Sequence, residues 1–485
     1  MSSPTQVRTP SDSAGFCGID GWLAIILIAS VIVRLALIEG NAAGFWADES
    51  RYEVSLSAAV AVQDGRWVEA GETVLNKADH MGFKLLMIAP ALGQLKWGWS
   101  NDIVAMLGSG VFSVLNILMV YVLVRGQGGA AAEARWAALL MASSTCMLYW
   151  SRHLVPYDFS LFIALCALAI VVAPKVSTAR LILAGALGFG SFFSYNGSWL
   201  LVAYVLVVPT LILCPEWNGI IRRGGYMLIG FCGSFGLVSV ATSFFGHSLI
   251  ASYVGFSATI TQGNFADGHI VLWRYLWSGE GGLLLAWLAC ILGFAIAVVR
   301  RDQIDARAWI WFGGVVVMGG GFVVFSNFAE KFVVYGRLVR MMVPFFSLLS
   351  AWVVYRIFAD RSRYRPVALL LVAMIIGLAA RNFSRPLQQL FPRAFVAQGR
   401  ALIDQRVAAE PSAQSTNELL ERFRFVYAEF LWPVPGPVAF GPHEVLLEAA
   451  HPLSYEPYLY EGFDRSQREA FVGGNVTMRL ILLND

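Results

Sequence analysis

Two adjacent carboxylates, Asp48 and Glu49, stand in the stretch Gly44-Phe45-Trp46-Ala47-Asp48-Glu49-Ser50-Arg51-Tyr52, a few residues beyond an apolar run that ends near residue 39. An ionised carboxylate in such a place can take the proton of a hydroxyl as it attacks an electrophile, help that is worth roughly 10²–10⁴-fold in rate. The apolar run Val54 to Val62 that follows suits a helix lying in a membrane interface, which fixes the pair at a membrane surface. The competing reading is a helix N-terminus, where acids are favoured by the dipole and Ser50 can cap.

Further charged groups recur at span ends. Tyr149-Trp150-Ser151-Arg152-His153-Leu154-Val155-Pro156-Tyr157-Asp158 joins two apolar runs with a base and an acid among aromatic residues. Bounding charges and an aromatic belt are the plainer account of that segment. In Lys331-Phe332-Val333-Val334-Tyr335-Gly336-Arg337-Leu338-Val339-Arg340-Met341-Met342-Val343-Pro344, Arg337 and Arg340 lie three apart and share one face of a starting helix. Cations at a helix N-terminus oppose the dipole, so they call for a fixed anion, with snorkelling toward headgroups as the alternative. His80 and Lys84 are weaker candidates, and His247, Asp267, His269, Arg274 and Glu280 read mostly as solvated or interfacial. No Gly-rich nucleotide loop, HExxH or GxSxG opens a helix in the required context.

The elements that hold these residues belong to a membrane. Of 485 residues, 57% are hydrophobic and 14% charged, and mean hydropathy is +0.63, whereas soluble domains carry about 25% charged residues. A net charge of +3 supplies no clustered basic footprint, which excludes nucleic acid as a partner. Six cysteines without CxxC or metal-ligand spacing give neither a disulfide framework nor a zinc site. Eleven runs are long enough to span, at 20–39, 103–124, 136–151, 157–174, 180–195, 198–214, 225–245, 280–299, 309–326, 338–357 and 367–380. A twelfth run, 82–97, carries Lys84, Pro90 and Lys96. Placing it in the interface puts Arg125/Arg135, Lys175/Arg180, Arg222/Arg223, Arg300/Arg301/Arg307 and Arg361/Arg363/Arg365 on the cytoplasmic side; letting it cross turns all of them outward. The positive-inside rule selects the first. Residues 1–19 are then a cytoplasmic segment and 20–380 the transmembrane domain, with an external loop at 40–102. The Pro-rich tail 381–485 is a small external α+β domain.

Taken together, an external Asp-Glu after the first span, interfacial helices introduced by a His-containing segment, Ser151-Arg152-x-x-x-Pro156-Tyr157-Asp158 between spans, and a late Tyr335 with Pro344 at a helix entry resemble a known group. They are similar to the protein O-mannosyltransferases and the bacterial lipid A aminoarabinose transferases, membrane glycosyltransferases of the GT-C fold. The resemblance covers roughly residues 20–380, and the chain departs from it at His80-Met81-Gly82, where relatives show His-Pro-Pro. It implies an all-α polytopic fold of about eleven spans with interfacial helices in the first external loop. It also implies a sugar donor carried on polyprenyl phosphate, held in the lipid of an inner (plasma) membrane, and an acceptor glycan, lipid or protein at the periplasmic or exterior face. The catalytic group would comprise Asp48 as base, Glu49 and Asp158. Arg152, Arg337, Arg340 and Lys84 would bind the donor phosphate, and His80, Tyr157 and Tyr335 would position substrate. No cofactor is required by these residues, although a divalent metal bridging Asp48 and Asp158 is compatible with them. A polyprenyl-lipid or solute transporter is the rival class; it would place ionisable groups at mid-membrane and often show repeated halves.

Overall fold

The computed structural model describes residues 20–38, 50–76, 79–151, 153–260, 280–328, 336–359, 393–410, 412–420, 422–427, 430–431, 441–452 and 475–484, with single positions between 273 and 277 and between 370 and 381. Asp48, Glu49, Arg152 and Tyr335, with most of the expected span 367–380, lie outside them.

The first described helix is α1 (Gly21–Ile38). It is followed by α2 (Ser50–Gln63), α3 (Trp67–Leu75) and α4 (Met81–Trp97). A long helix α5 runs Asn101–Gly126, and α6 is Ala131–Ala142. Then come α7 (Thr145–Trp150), α8 (Tyr157–Val171), α9 (Thr178–Ser194), α10 (Trp199–Leu213) and α11 (Trp217–Phe244). Next are α12 (Leu249–Ile260), α13 (Gly282–Val299), α14 (Ala306–Val323), α15 (Gly336–Val339) and α16 (Val343–Ala359). Among the described residues, five helical stretches are long and apolar enough to cross a membrane: Asn101–Gly126, Asn196–Leu213, Trp217–Phe244, Gly282–Val299 and Ala306–Phe328. The chain is a membrane protein, and its outward surface agrees, with Leu237, Phe244 and Val299 each more than 70% exposed.

Two expected spans take a different form. The run 136–151 is broken: α6 stops at Ala142, Ser144 caps α7 by accepting from the Met147 amide at 3.3 Å, and six residues of α7 lie wholly inside the protein. Ser at such a position competes for backbone hydrogen bonds and favours a new N-cap over continued helix. The run 225–245 extends back to Trp217, so Arg222 and Arg223 ride on the first turns of α11.

Packing is closest where glycine removes the side chain. A Cβ on Gly185 would lie 1.8 Å from the Met227 carbonyl oxygen and one on Gly230 1.9 Å from that of Ile182, so α9 and α11 meet backbone to backbone. The helices α2 and α4 pack together, and α4 also leans on α9. The core is filled by Trp150, Trp287, Trp311, Tyr149 and Tyr204, all fully buried.

The described tail is mixed: α17 (Arg393–Ala408), α18 (Ala413–Leu420), then β1 (Phe423–Tyr427), β2 (Phe430–Leu431), β3 (His443–Pro452) and β4 (Asn475–Leu483). The strands form an antiparallel sheet in the order β2-β1-β4-β3, with a bulge between Val445 and Leu447.

Candidate functional site

Asp158 is the second residue of α8 and is fully buried. Arg340, in the single 3-10 turn between α15 and α16, donates from Nη2 to Asp158 Oδ1. Its side chain is 1% exposed. The anion that Arg340 faces is therefore on this chain, and burial rules out snorkelling for this residue. Asn116 of α5 donates to the Asp158 carbonyl at 3.0 Å and to Oδ1 at 3.3 Å. One helical turn away, Ser113 accepts from Arg34 Nε at 3.0 Å and Nη2 at 2.8 Å, while Arg34 Nη1 donates to the Ser30 carbonyl at 3.2 Å. Two guanidiniums and one carboxylate thus share a sealed region. Asp158 Oδ2 and Arg340 Nε and Nη1 have no hydrogen-bond partner among the described residues.

A chain of rings leads out of this cluster. The Arg340 guanidinium lies 5.8 Å from the Tyr157 ring centre. Tyr157 meets Trp150 edge-on at 5.0 Å and Tyr195 at 4.8 Å. Tyr195 in turn meets His80 at 5.1 Å. His80 adopts φ 56°, and its amide and Nδ1 lie 3.1 and 3.2 Å from Asn196 Oδ1. That left-handed conformation is uncommon outside glycine, His being among the side chains that adopt it more readily, and Asn196 holds it in place. Gly82 makes the approach possible: a Cβ there would sit 2.6 Å from Ser194 Oγ and 3.1 Å from the Ser194 Cα. At His80-Met81-Gly82 the chain thus seats α4 on the end of α9 through a glycine.

Lys84, on the next turn of α4, is 2% exposed and donates from Nζ to Asp79 Oδ1; Arg51 Nε lies 3.4 Å from Asp79 Oδ2. Asp79 therefore clamps two cations, one of them two residues after Glu49 in the sequence. Beside them Tyr52 donates to Gln94 Oε1 at 2.5 Å, and burial pushes its hydroxyl up to about 12, so it stays a neutral donor.

The segment joining α7 to α8 is fixed from two sides. In the π-helical turn Met106–Gly110 of α5, Ser109 donates to the Val155 carbonyl at 3.0 Å. Glu280, 1% exposed, accepts from Ser144 Oγ at 2.6 Å, the Thr145 amide at 3.0 Å and the Cys146 amide at 2.9 Å. This differs from the solvated or interfacial place expected for it; the N-terminus of a buried helix leaves amides that need an acceptor, and Glu280 supplies it.

Of the residues singled out from the sequence, His80, Tyr157, Asp158 and Arg340 come together, and Lys84 stands one turn of α4 beyond His80. The side chain of Arg337 lies outside the described residues, as do Asp48, Glu49, Arg152 and Tyr335. Asp79, Asn116, Tyr195 and Asn196 were not anticipated. Asn196 carries a signal that was open to reading: Ser194-Tyr195-Asn196-Gly197-Ser198 is a polar knot between two apolar runs, on the same side by parity as Tyr157. Among the described residues no three His, Cys, Asp or Glu side chains gather closely enough to hold a metal ion.

No protein-family model and no curated protein matches this chain. Among solved structures, ArnT from Cupriavidus metallidurans, crystallised with undecaprenyl phosphate, aligns with 80% of this chain and 71% of its own at 17% identity and a TM-score of 0.53. The oligosaccharyltransferase AglB from Archaeoglobus fulgidus, in complex with an inhibitory peptide and a dolichol-phosphate, aligns more loosely, at 12% identity and a TM-score of 0.46, and this chain covers 59% of its length. Over the matched 80% of the chain the fold is similar to that of ArnT.

Proposed function

We propose that this chain transfers a sugar from a polyprenyl-phosphate-linked donor to an acceptor glycan, lipid or protein at the external face of the inner (plasma) membrane, inverting the anomeric centre. The observation that carries the reading is the convergence, in a GT-C fold, of His80, Tyr157, Asp158 and Arg340 into one buried cluster whose arginine keeps two unpartnered donor nitrogens. The positive-inside pattern of the sequence supports the external face.

In the reaction the acceptor hydroxyl oxygen attacks the anomeric carbon, and its proton passes to the carboxylate of Asp48. The bond from that carbon to the phosphate oxygen breaks, and its electron pair leaves with the polyprenyl phosphate. Charge that grows on the leaving phosphate is stabilised by guanidinium groups in a water-poor site, and Arg340 Nε and Nη1 are the donors left over for it among the described residues, reached once the donor opens the otherwise sealed cluster. Asp158 anchors Arg340 and is itself held by Asn116, while Asp79 holds Lys84 and Arg51, the latter two residues after Glu49 in the sequence. Undecaprenyl phosphate is the lipid bound by ArnT, which makes it the first probe to use.

The test is a transfer assay in nanodiscs with a panel of radiolabelled undecaprenyl-phosphate pentoses and hexoses, read as release of undecaprenyl phosphate in the presence of membrane acceptors. Wild type should discharge at least one donor, and Asp48→Asn should lower that rate by about 10²–10⁴-fold while still binding undecaprenyl phosphate. Near-normal turnover by Asp48→Asn excludes it as the base. Transport of the lipid without discharge of any donor overturns the transferase reading.

A further inference from the structure

Near the other end of α8, about 20 Å along the helix from Asp158, the ends of α9, α10 and α11 line a cavity of about 610 Å³. Its walls include Ser177 and Thr178 at the start of α9, Cys214 beyond α10, and Arg222, Arg223 and Tyr226 on α11. Ser177 caps α9 by accepting from the Arg180 amide at 3.4 Å, so the α9 N-terminus opens onto the same space. Across residues 171–226 the charged side chains are Lys175, Arg180, Arg222 and Arg223 against the single carboxylate Glu216. Arg223 donates to the Val171 carbonyl at 3.5 Å, the outer limit of an N–H···O bond, and to the Cys214 sulfur at 3.5 Å, a weak acceptor. Its guanidinium is thus near the cavity without being consumed by a strong partner.

The surroundings say what kind of anion fits. Trp217 and Ile221 on the first turns of α11 are 75% and 67% exposed, and Leu228 and Ile229 further along it are 62% and 59% exposed. An aromatic anchor followed by exposed aliphatic side chains marks the headgroup level of a bilayer and the acyl region beyond it. From these observations we infer that the cleft between α9 and α11 binds the phosphate headgroup of an anionic glycerophospholipid, with Arg222 and Arg223 on the phosphate and an acyl chain along Ile229, seven residues beyond Arg222 on the same side of α11, while Trp217, Ile221 and Leu228 on the opposite side mark the bilayer depth. A basic pocket between helices at headgroup depth attracts such lipids at about 1 kcal/mol per cation, or about fivefold in affinity. This site is separate from the proposed transfer site and stands whether or not Asp48 is the base.

Native mass spectrometry and thermal unfolding of the purified full chain, after addition of phosphatidylglycerol or phosphatidylcholine, test it. Wild type should retain phosphatidylglycerol in preference and be stabilised by it, whereas inorganic phosphate alone should not stabilise it. Arg222→Gln should cut the preference about fivefold and the Arg222→Gln/Arg223→Gln pair about 25-fold. Because Arg223 also touches the end of α8, a second variant leaves every charge in place: Gly219→Leu. A Cβ on Gly219 meets only Cys214, at 3.6 and 3.8 Å, so the helix accepts a side chain there and the larger leucine fills the cavity. It should lose the preference while unfolding like wild type in phosphatidylcholine. Equal retention of both lipids by wild type, or undiminished preference in Arg222→Gln and Gly219→Leu, overturns the lipid site. Equal stabilisation by inorganic phosphate reassigns it to a free anion and overturns the lipid as its occupant.

Discussion

The Asp158 cluster and the cluster around Glu133 use the same side-chain chemistry on neighbouring helices, yet one is sealed and the other half open. Asp158, Arg340 and Arg34 are at most 1% exposed, two cations to one anion. At the second cluster Glu133 of α6 lies 3.5 Å from Arg307, and Arg307 also bridges to Asp305 at 2.8 Å, two anions to one cation. There Arg307 is 19% and Asp305 33% exposed. A charge that water reaches contributes little on pairing, while a sealed pair turns each partner into a liability once the other is gone. Both leave buried polar atoms without a hydrogen-bond partner among the described residues, Glu133 Oε1 and Arg307 Nη1 in the second, but only the first keeps every charged partner at most 1% exposed; the second joins the 1% exposed Glu133 to partners that water reaches.

The largest effect should separate the two directly. Arg340→Ala strands Asp158 in the interior and should cost about 3–5 kcal/mol of stability, whereas Arg307→Ala strands the buried Glu133 at a cluster that water reaches from the Asp305 side and should cost less, about 1–3 kcal/mol. Thermal unfolding in one detergent ranks them, and equal losses would erase the distinction drawn here. The double variant Arg340→Met/Asp158→Leu sharpens it further: removing both charges should recover most of the stability, because an apolar pair of similar size replaces a costly ion pair. If the cluster serves transfer, that recovered protein should remain inactive in the donor-discharge assay.

A smaller loss is expected where a carboxylate meets backbone amides rather than a cation. Glu280→Gln keeps one acceptor oxygen but surrenders the charge and one of the contacts to Ser144, Thr145 and Cys146, for about 1–3 kcal/mol. An unfolding midpoint unchanged from wild type would mean that α7 is held without it.

Sequence alone exposed the membrane class, because apolar runs are set by bilayer thickness and need no partner to be recognised. It also pointed to Tyr157, Asp158, His80 and Arg340, since acids and bases at span ends are uncommon enough to stand out. Their mutual pairing was invisible: Asp158 and Arg340 are 182 residues apart, and nothing local in either segment names the other. Asn116 was harder still, a single polar residue within an apolar run whose neighbours give no period or spacing to read. The break between α6 and α7 depended on Glu280, a residue 135 positions from the Thr145 amide it accepts. Pattern reveals which surfaces want lipid; tertiary contact decides which polar groups survive inside.

The smallest effect tests the open cluster by titration. Burial pulls the Asp305 carboxyl up, but the Arg307 hydrogen bond and charge, the Ala308 amide at 3.1 Å and the Trp352 indole at 3.3 Å outweigh it and hold the group below its usual value. A carboxyl whose folded value is depressed adds stability that is complete above its unfolded value, about 3.9, and is lost as pH falls through the folded one. Asp305→Asn keeps the helix cap of α14, because Asn caps nearly as well as Asp, and removes the charge together with the acceptor oxygen that Arg307 and Trp352 share. Asp305→Ala removes the cap as well and should cost about 1 kcal/mol more. The gap between wild type and Asp305→Asn should therefore be flat from neutrality down to about pH 4 and close below it. The gap between Asp305→Asn and Asp305→Ala should not vary with pH at all. Unfolding midpoints of the three proteins across that range read both differences, and a wild-type advantage that widens on acidification would contradict the depressed value of Asp305.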